Sequence, residues 1–245
     1  MNGVKNVANR ECVNMLLCDY KTGVPFIYVD YANVTSTEMT ASSVAATGGW
    51  GAPKRVTFDG ERSGTVQLQT QIIPMKLFAM LAGDEVTAVT NVLGREIVKE
   101  TTATLTVNKT PIVGSVYVYK IDDDCGTPVP MTLSDKTITL DTPGADGDEY
   151  IVYYFVALTA GNQTVKFQSK KFPKNYSIRG ETLFKAEGSG EMHPMYLNIY
   201  KAAPQTDFSL SLSNTGDPTS LSITFNMLAD EQGNMIDMTL MDDPD

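Results

Sequence analysis

The sequence predicts a mainly β protein: a large β-sandwich with one short flanking α-helix, and a small β-sandwich subdomain inserted into it. Three observations predict this. Apolar and polar side chains alternate with a period of two along much of the chain, and one segment alone carries helix punctuation at both ends. Between Thr101 and Leu158, turn signals recur at the spacing of a small sandwich.

In chain order, residues 13–19 and 25–31 are two short strands around a turn at Lys21, Thr22 and Gly23. Residues 39–53 follow, with Ala41, Ser42, Ser43, Ala45 and Ala46 leading to Gly48, Gly49 and Gly51 around the single tryptophan, Trp50. Side chains this small cannot build a core, so an exposed loop is expected, ordered against a partner. Strands resume at 54–58 and 63–73, where Val66 and Leu68 alternate with Gln67 and Gln69. Pro74 then suits a first helical position, where its missing N–H costs nothing, and Gly83 suits a left-handed exit. Between them Leu77, Phe78 and Leu81 share one side, and burying them contributes about 1.5–3 kcal/mol each.

The middle of the chain gives strands at 103–107, 115–121, 136–141 and 149–158, separated by turns at 109–114, 122–130 and 142–148. The last of these is apolar on both faces, Tyr150, Val152, Tyr154 and Val156 against Ile151, Tyr153, Phe155 and Ala157. Such a strand needs cover on both sides. Residues 101–158 are therefore expected as the inserted subdomain, with 1–100 and 159–245 as the main domain. Strands at 165–170, 175–187 and 195–201 return to that domain. Near the C-terminus Phe208, Leu210 and Leu212 alternate with serines, residues 214–218 turn, and Leu221, Ile223 and Phe225 alternate with Ser222, Thr224 and Asn226. That pattern predicts an antiparallel hairpin, followed by a third pass through Ile236, Met238 and Leu240.

Composition narrows the function classes. The net charge is −10, from 29 acidic and 19 basic residues, and the cations are scattered singly. Tight binding to nucleic acid phosphates needs clustered cations, so it is not expected; an acidic protein repels DNA, which serves a function if DNA must slide past. Residues 1–10 lack the apolar segment of a signal peptide, and the longest apolar run, Tyr150 to Leu158, falls short of the ~18 residues that span a bilayer. A soluble product made in the cytoplasm, with no membrane partner, is expected. Cys12, Cys18 and Cys125 have neither disulfide nor zinc spacing and read as reduced thiols. The sequons at Asn33, Asn108, Asn162 and Asn175 read as accidents of a Thr-rich chain.

Catalytic and cofactor chemistry finds no foothold. The single histidine, His193, has no nucleophile elbow or catalytic cysteine context to serve. Asp122, Asp123 and Asp124 are consecutive, whereas a calcium loop wants oxygens on alternate residues, so a solvated turn is expected. The acidic groups at Asp146, Asp148 and Glu149 and at Asp242, Asp243 and Asp245 read the same way. The glycines around Trp50 lack the Lys and Ser or Thr of a phosphate loop. Trp50 itself is either a core anchor for its own loop or a contact for another chain. Tyr153, Tyr154, Tyr196 and Tyr200 could form a glycan platform, but their apolar neighbours favour core packing. No enzyme, cofactor or metal site is expected.

One resemblance organises these segments. The strand from Gly64 to Ile73, the run Pro74, Met75, Lys76, Leu77, Phe78, Ala79, Met80, Leu81, Ala82 and Gly83, the inserted β subdomain, and the run from Gly216, Asp217 and Pro218 through Phe225 to Asp230 and Gly233 resemble the major tail tube proteins of tailed bacteriophages. The likeness covers residues 1–95 and 165–241. It implies a tail-tube-type β-sandwich, six copies of which form a ring with a continuous inner barrel, the rings stacking into a tube in the virion. Double-stranded DNA passes through the lumen without specific binding, and the tape measure, tail terminator and baseplate proteins are the implied partners besides the chain itself. Many members carry an immunoglobulin-like domain outside the tube, which suits 101–158. The loop at 39–53 is similar to one that reaches a neighbouring ring or subunit, which gives Trp50 an interface role. Inter-subunit contact candidates on it are Met39, Val44, Gly48, Gly49, Trp50 and Gly51. Phe208, Leu210 and Leu212 join them, as sheet margins that barrel closure would cover. A negative lumen repels phosphates over the Debye length, ~8 Å at physiological salt. The competing expectations are a capsid decoration or baseplate protein and a glycan-binding adhesin module.

Overall fold

A computed structural model describes residues 6–88, 91–158, 161–208, 210, 215–216 and 218–241. The chain divides into a main unit, Met1–Val86 with Val165–Asp245, and a second unit, Thr87–Thr164. The first part of the main unit supplies β1 (Val7–Asn9), β2 (Asn14–Asp19), β3 (Pro25–Val29), β4 (Ala32–Thr47), β5 (Lys54–Thr70) and the helix α1 (Met75–Ala82). The second unit holds β6 (Asn91–Lys99), β7 (Thr104–Thr106), β8 (Tyr117–Lys120), β9 (Met131–Ser134), β10 (Thr137–Leu140) and β11 (Glu149–Ala157). The main unit resumes with β12 (Tyr176–Ala186), β13 (Met192–Pro204), β14 (Leu221–Leu228) and β15 (Ile236–Leu240).

The main sheet is antiparallel in the order β3-β2-β12-β13-β14-β5-β4, with β1 added on β12 and β15 on β13. Alternation explains which face it buries. Leu221, Ile223, Phe225 and Met227 of β14, Val66 and Leu68 of β5, and Ile178 of β12 all turn inward, joined by Leu77, Met80 and Leu81 of the helix in one core cluster. The helix is held at its exit by Gly83, at φ 63° and ψ 26°. The Gly83 N–H donates to the Met80 carbonyl and the Asp84 N–H to the Ala79 carbonyl, which satisfies two carbonyls that the helix leaves open. Met80 takes the core position expected of Phe78. The Phe78 ring sits at the side of the cluster, 5.9 Å from that of Phe208.

In the second unit the sheets β6-β11-β8 and β7-β10-β9 enclose their own core, with Leu105, Val118, Ile138, Val152 and Tyr154 among its members. β6 pairs with β11 over its whole length, so residues 91–99 lie in this unit, where the sequence reading kept them in the main domain. Gly94 disguises that strand: it faces the Tyr154 ring, and a Cβ there would stand 3.1 Å from it. On the second face of β11 Ile151 is buried and Tyr153 half-buried, while Phe155 and the β6 residues Leu93 and Ile97 are exposed.

Other expectations change as well. Residues 39–47 extend β4 instead of forming a loop, because backbone groups can pair with β5 even where small side chains bury nothing. The strands expected at 54–58 and 63–73 are one strand, β5, whose register shifts beside Gly60 absorb the interruption. Residues 165–170 form no strand. Phe208 and Leu210 also lie outside strands, and Leu212 lies outside the described residues. β14 therefore pairs with Lys201–Pro204 of β13 and Gly64–Thr70 of β5, since alternation declares faces but not partners. Among the described residues, no helix is long and apolar enough to cross a membrane.

Candidate assembly surface

β4 and β5 pair from Ala32 and Thr70 out to Thr47 and Lys54, but β14 accompanies β5 only as far as Gly64. Beyond that point the two strands continue as a free ribbon, exposed throughout except at half-buried Ala45. Its root is marked by Gly64, where the Met39 and Met227 side chains close over the missing Cβ.

The ribbon owes its chemistry to one extra residue. Ala41 pairs with Arg62 and Ser43 with Asp59, so β5 carries a bulge at 60–61. Past the bulge its alternation is shifted by one, which turns Phe58 and Val56 to the same face as Val44 and Ala46, their cross-strand partners. This face continues the outward side of the sheet. It presents Val44, Val56 and Phe58 to solvent, with Val44 73% exposed. Lys54, Arg55 and Arg62 with Asp59 and Glu61 supply charges of both signs along the same strand.

At the tip the Ala52 N–H donates to the Gly49 carbonyl at 3.1 Å, and Gly51 at φ 81° takes the third turn position, which requires a positive φ. The Arg55 guanidinium donates to the Gly48 carbonyl at 3.2 Å and braces the turn. Trp50 is thereby pushed to the apex with 104% of its reference surface exposed. It anchors nothing in its own chain.

The sequence-derived contact candidates thus separate. Met39, Val44, Gly48, Gly49, Trp50 and Gly51 are brought together on the ribbon. Phe208 is half-buried, its ring 5.2 Å from Phe167 as well as beside Phe78, so its surface is largely used within its own unit. Leu210 is exposed and belongs to no strand. Val56 and Phe58 are the contact-type residues that the sequence reading missed. Their alternation is visible in the sequence, but only the register sets them beside Val44.

Below the ribbon the outward face of β5 and β14 carries Thr65, Gln67, Gln69, Ser222, Thr224 and Asn226, without a lysine or arginine. The amide of Gln67 donates to the Ser222 hydroxyl at 2.8 Å and that of Gln69 to the Ser220 hydroxyl at 3.1 Å. These side chains satisfy one another.

The remaining candidates are structural. His193 is buried with Nδ1 3.1 Å from the Met241 carbonyl oxygen. Asp123 accepts the Thr127 N–H, and Asp124 accepts from the Tyr153 hydroxyl, so the triple-Asp segment ties its own turn. Among the described residues no group of three or more His, Cys, Asp or Glu could hold a metal. The four tyrosines form no single platform. Tyr153 and Tyr154 occupy opposite faces of β11, Tyr154 bonded through its hydroxyl to Glu96, while Tyr196 and Tyr200 belong to β13 of the main unit.

A model of the YomU/Tube protein family matches residues 10–238, which spans segments of both units. No curated protein matches the chain.

Proposed function

This chain belongs to the YomU/Tube protein family, and from that premise we propose that it is the protomer of a phage tail tube in which six copies close into a ring and rings stack around a channel. The single observation that carries this reading is the ribbon: a Trp at full exposure, with Val44, Val56 and Phe58 behind it, has no use inside its own chain. Apolar surface left in water forgoes about 25 cal/mol for each Å² that a partner would cover. Among the described residues, the outer strands β3 and β4 each have one unpaired edge, which copies of the chain can cover by extending the sheet.

The same reading accounts for the charge. A net −10 and a hydroxyl and amide face free of cations give DNA phosphates nothing to condense on, so this face suits a channel wall past which double-stranded DNA and the tape measure protein slide. The protein is a structural component of the virion, synthesised in the host cytoplasm, with tail terminator and baseplate proteins at the tube's ends and no catalytic role. The second unit is an immunoglobulin-like addition to the tube-forming unit.

Negative-stain electron microscopy of the purified chain tests this. Hexameric rings or hollow tubes are expected. A chain that stays monomeric at high concentration, even with tape measure protein present, counts against the proposal.

A further inference from the structure

The second unit holds a set of reactive side chains that the tube reading leaves unused. The Val107 N–H donates to the Lys136 carbonyl at 3.0 Å, which carries the β7–β10 pairing one step past its ladder and sets Asn108 beside Lys136. The Lys136 ammonium donates to the Asn108 backbone carbonyl at 3.0 Å. Asn108 in turn gives Glu96 two bonds, its backbone N–H at 3.0 Å and its side-chain Nδ2 at 2.9 Å, both to Oε2. Oε1 of the same carboxylate accepts the hydroxyl of buried Tyr154.

Asn108 is thereby held between an amine and a carboxylate. Its amide nitrogen, not its oxygen, must face Glu96, because a carboxylate accepts hydrogen bonds and an amide oxygen has none to give. Its Cγ belongs to the same residue whose backbone oxygen Lys136 already holds, and the lysine stem is flexible, so the amine can swing from one carbonyl to the other. A nucleophile kept this close to its target reacts as if at very high concentration. The carboxylate sits on the nitrogen that would depart, where a group that takes up and returns protons is needed.

We infer that Lys136 and Asn108 join in an isopeptide bond within the chain, with Glu96 as its catalytic carboxylate. The ammonium gives a proton to Glu96, and the freed amine attacks Cγ of Asn108. The Nζ–Cγ bond forms and the Cγ–Nδ2 bond breaks. Two of the three Nζ protons pass by way of Glu96 to the departing nitrogen, which leaves as ammonium, so no oxidant or cofactor is required. The reaction is a single self-modification without turnover. It locks the end of β7 to the start of β10 and closes a loop between positions 28 apart, which restricts the unfolded chain as a disulfide would. This inference goes beyond the tube reading and does not depend on it.

Mass spectrometry of the purified full chain tests the bond. The unmodified protein is expected to be lighter than its sequence by about 17 Da, the mass of ammonia. A tryptic digest is expected to show the peptide Glu100–Lys109 joined to the one that begins at Ile121, with no cut after Lys136. Lys136→Arg keeps the positive charge but supplies no attacking amine, and Glu96→Gln keeps an acceptor but cannot carry protons; both are expected at full mass. An unmodified chain at full mass overturns the inference, and so does a loss of ammonia without the joined peptides. A Glu96→Gln chain that still links removes Glu96 from the chemistry. Circular dichroism establishes that each variant is folded, and if one is not, the digest of the unmodified chain still decides.

Discussion

Replacing Trp50 with alanine separates assembly from folding. The indole is fully exposed, so its removal takes no contact from its own chain. Surface changes of this kind stay within about 0.5 kcal/mol, or ~1–2 °C in the melting temperature of a unit this size. At the centre of an interface, truncating a Trp costs about 2 kcal/mol or more. Each 1.4 kcal/mol is a factor of ten, so one junction weakens ~30-fold. If six copies engage together the losses act in concert, and ring stacking disappears at any practical concentration. The assay is sedimentation of polymer against protein concentration, paired with a circular dichroism melt. Tubes pelleting at the unmodified concentration would refute the interface role. A melting temperature lowered by more than ~5 °C would refute it too, by showing that the indole serves its own fold. Trp50→Phe, which keeps an aromatic body, should recover part of the assembly.

Further outcomes follow from the interior. Gly83→Ala puts a Cβ 2.1 Å from the Phe172 carbonyl oxygen at a residue with φ 63°. The left-handed conformation alone costs an L-residue about 1–2 kcal/mol, and the clash adds to it, so denaturant titration should show a loss of roughly 2–4 kcal/mol. Gly233→Ala, at φ 87° with open space around it, should lose only ~1–2 kcal/mol; equal losses at the two sites would refute the contact with Phe172. Leu81→Asp places a charge in the core cluster and should cost more than the ~2–5 kcal/mol of a Leu→Ala change, detaching the helix; an unchanged melting temperature would contradict the packing. Burial, with a smaller contribution from Asp19, pushes the Tyr176 phenol up to about 12. The folded state thus holds this proton more tightly than the unfolded chain does. The stability it contributes is fully present below pH ~10 and is lost as the pH rises towards 12, as melts in that window will register. Tyr176→Phe should flatten the decline. Gln67→Lys and Ser222→Lys together should leave tubes intact but make them retain double-stranded DNA in a filter-binding assay; tubes that still release DNA at low salt would remove the cation-free face from the channel wall.

Local chemistry made much of this protein legible. Pro74 and Gly83 bracket a real helix because each meets a backbone requirement that is set within a few residues. The period-two runs at Leu221–Leu228 and in β12 are real strands because alternation directly records one buried and one wet face. Trp50 among glycines was visible as an oddity, and its neighbours Gly49 and Gly51 do adopt the positive φ that a tight tip needs.

What the sequence by itself determined, then, is the β character, the helix and its caps, the acidity, and the presence of a small-residue segment around one Trp. Only the tertiary structure decided the pairing: that β14 lies between β13 and β5, that residues 39–47 are strand, and that Phe208 packs on the helix side instead of forming a margin of the sheet. Most decisive is the bulge at 60–61, which places Val56 and Phe58 beside Val44. The reason is physical. Backbone propensity and capping depend on near neighbours, whereas register and partner choice are set by contacts between residues far apart in the chain, whose faces a sequence displays but whose meeting only the folded sheet fixes.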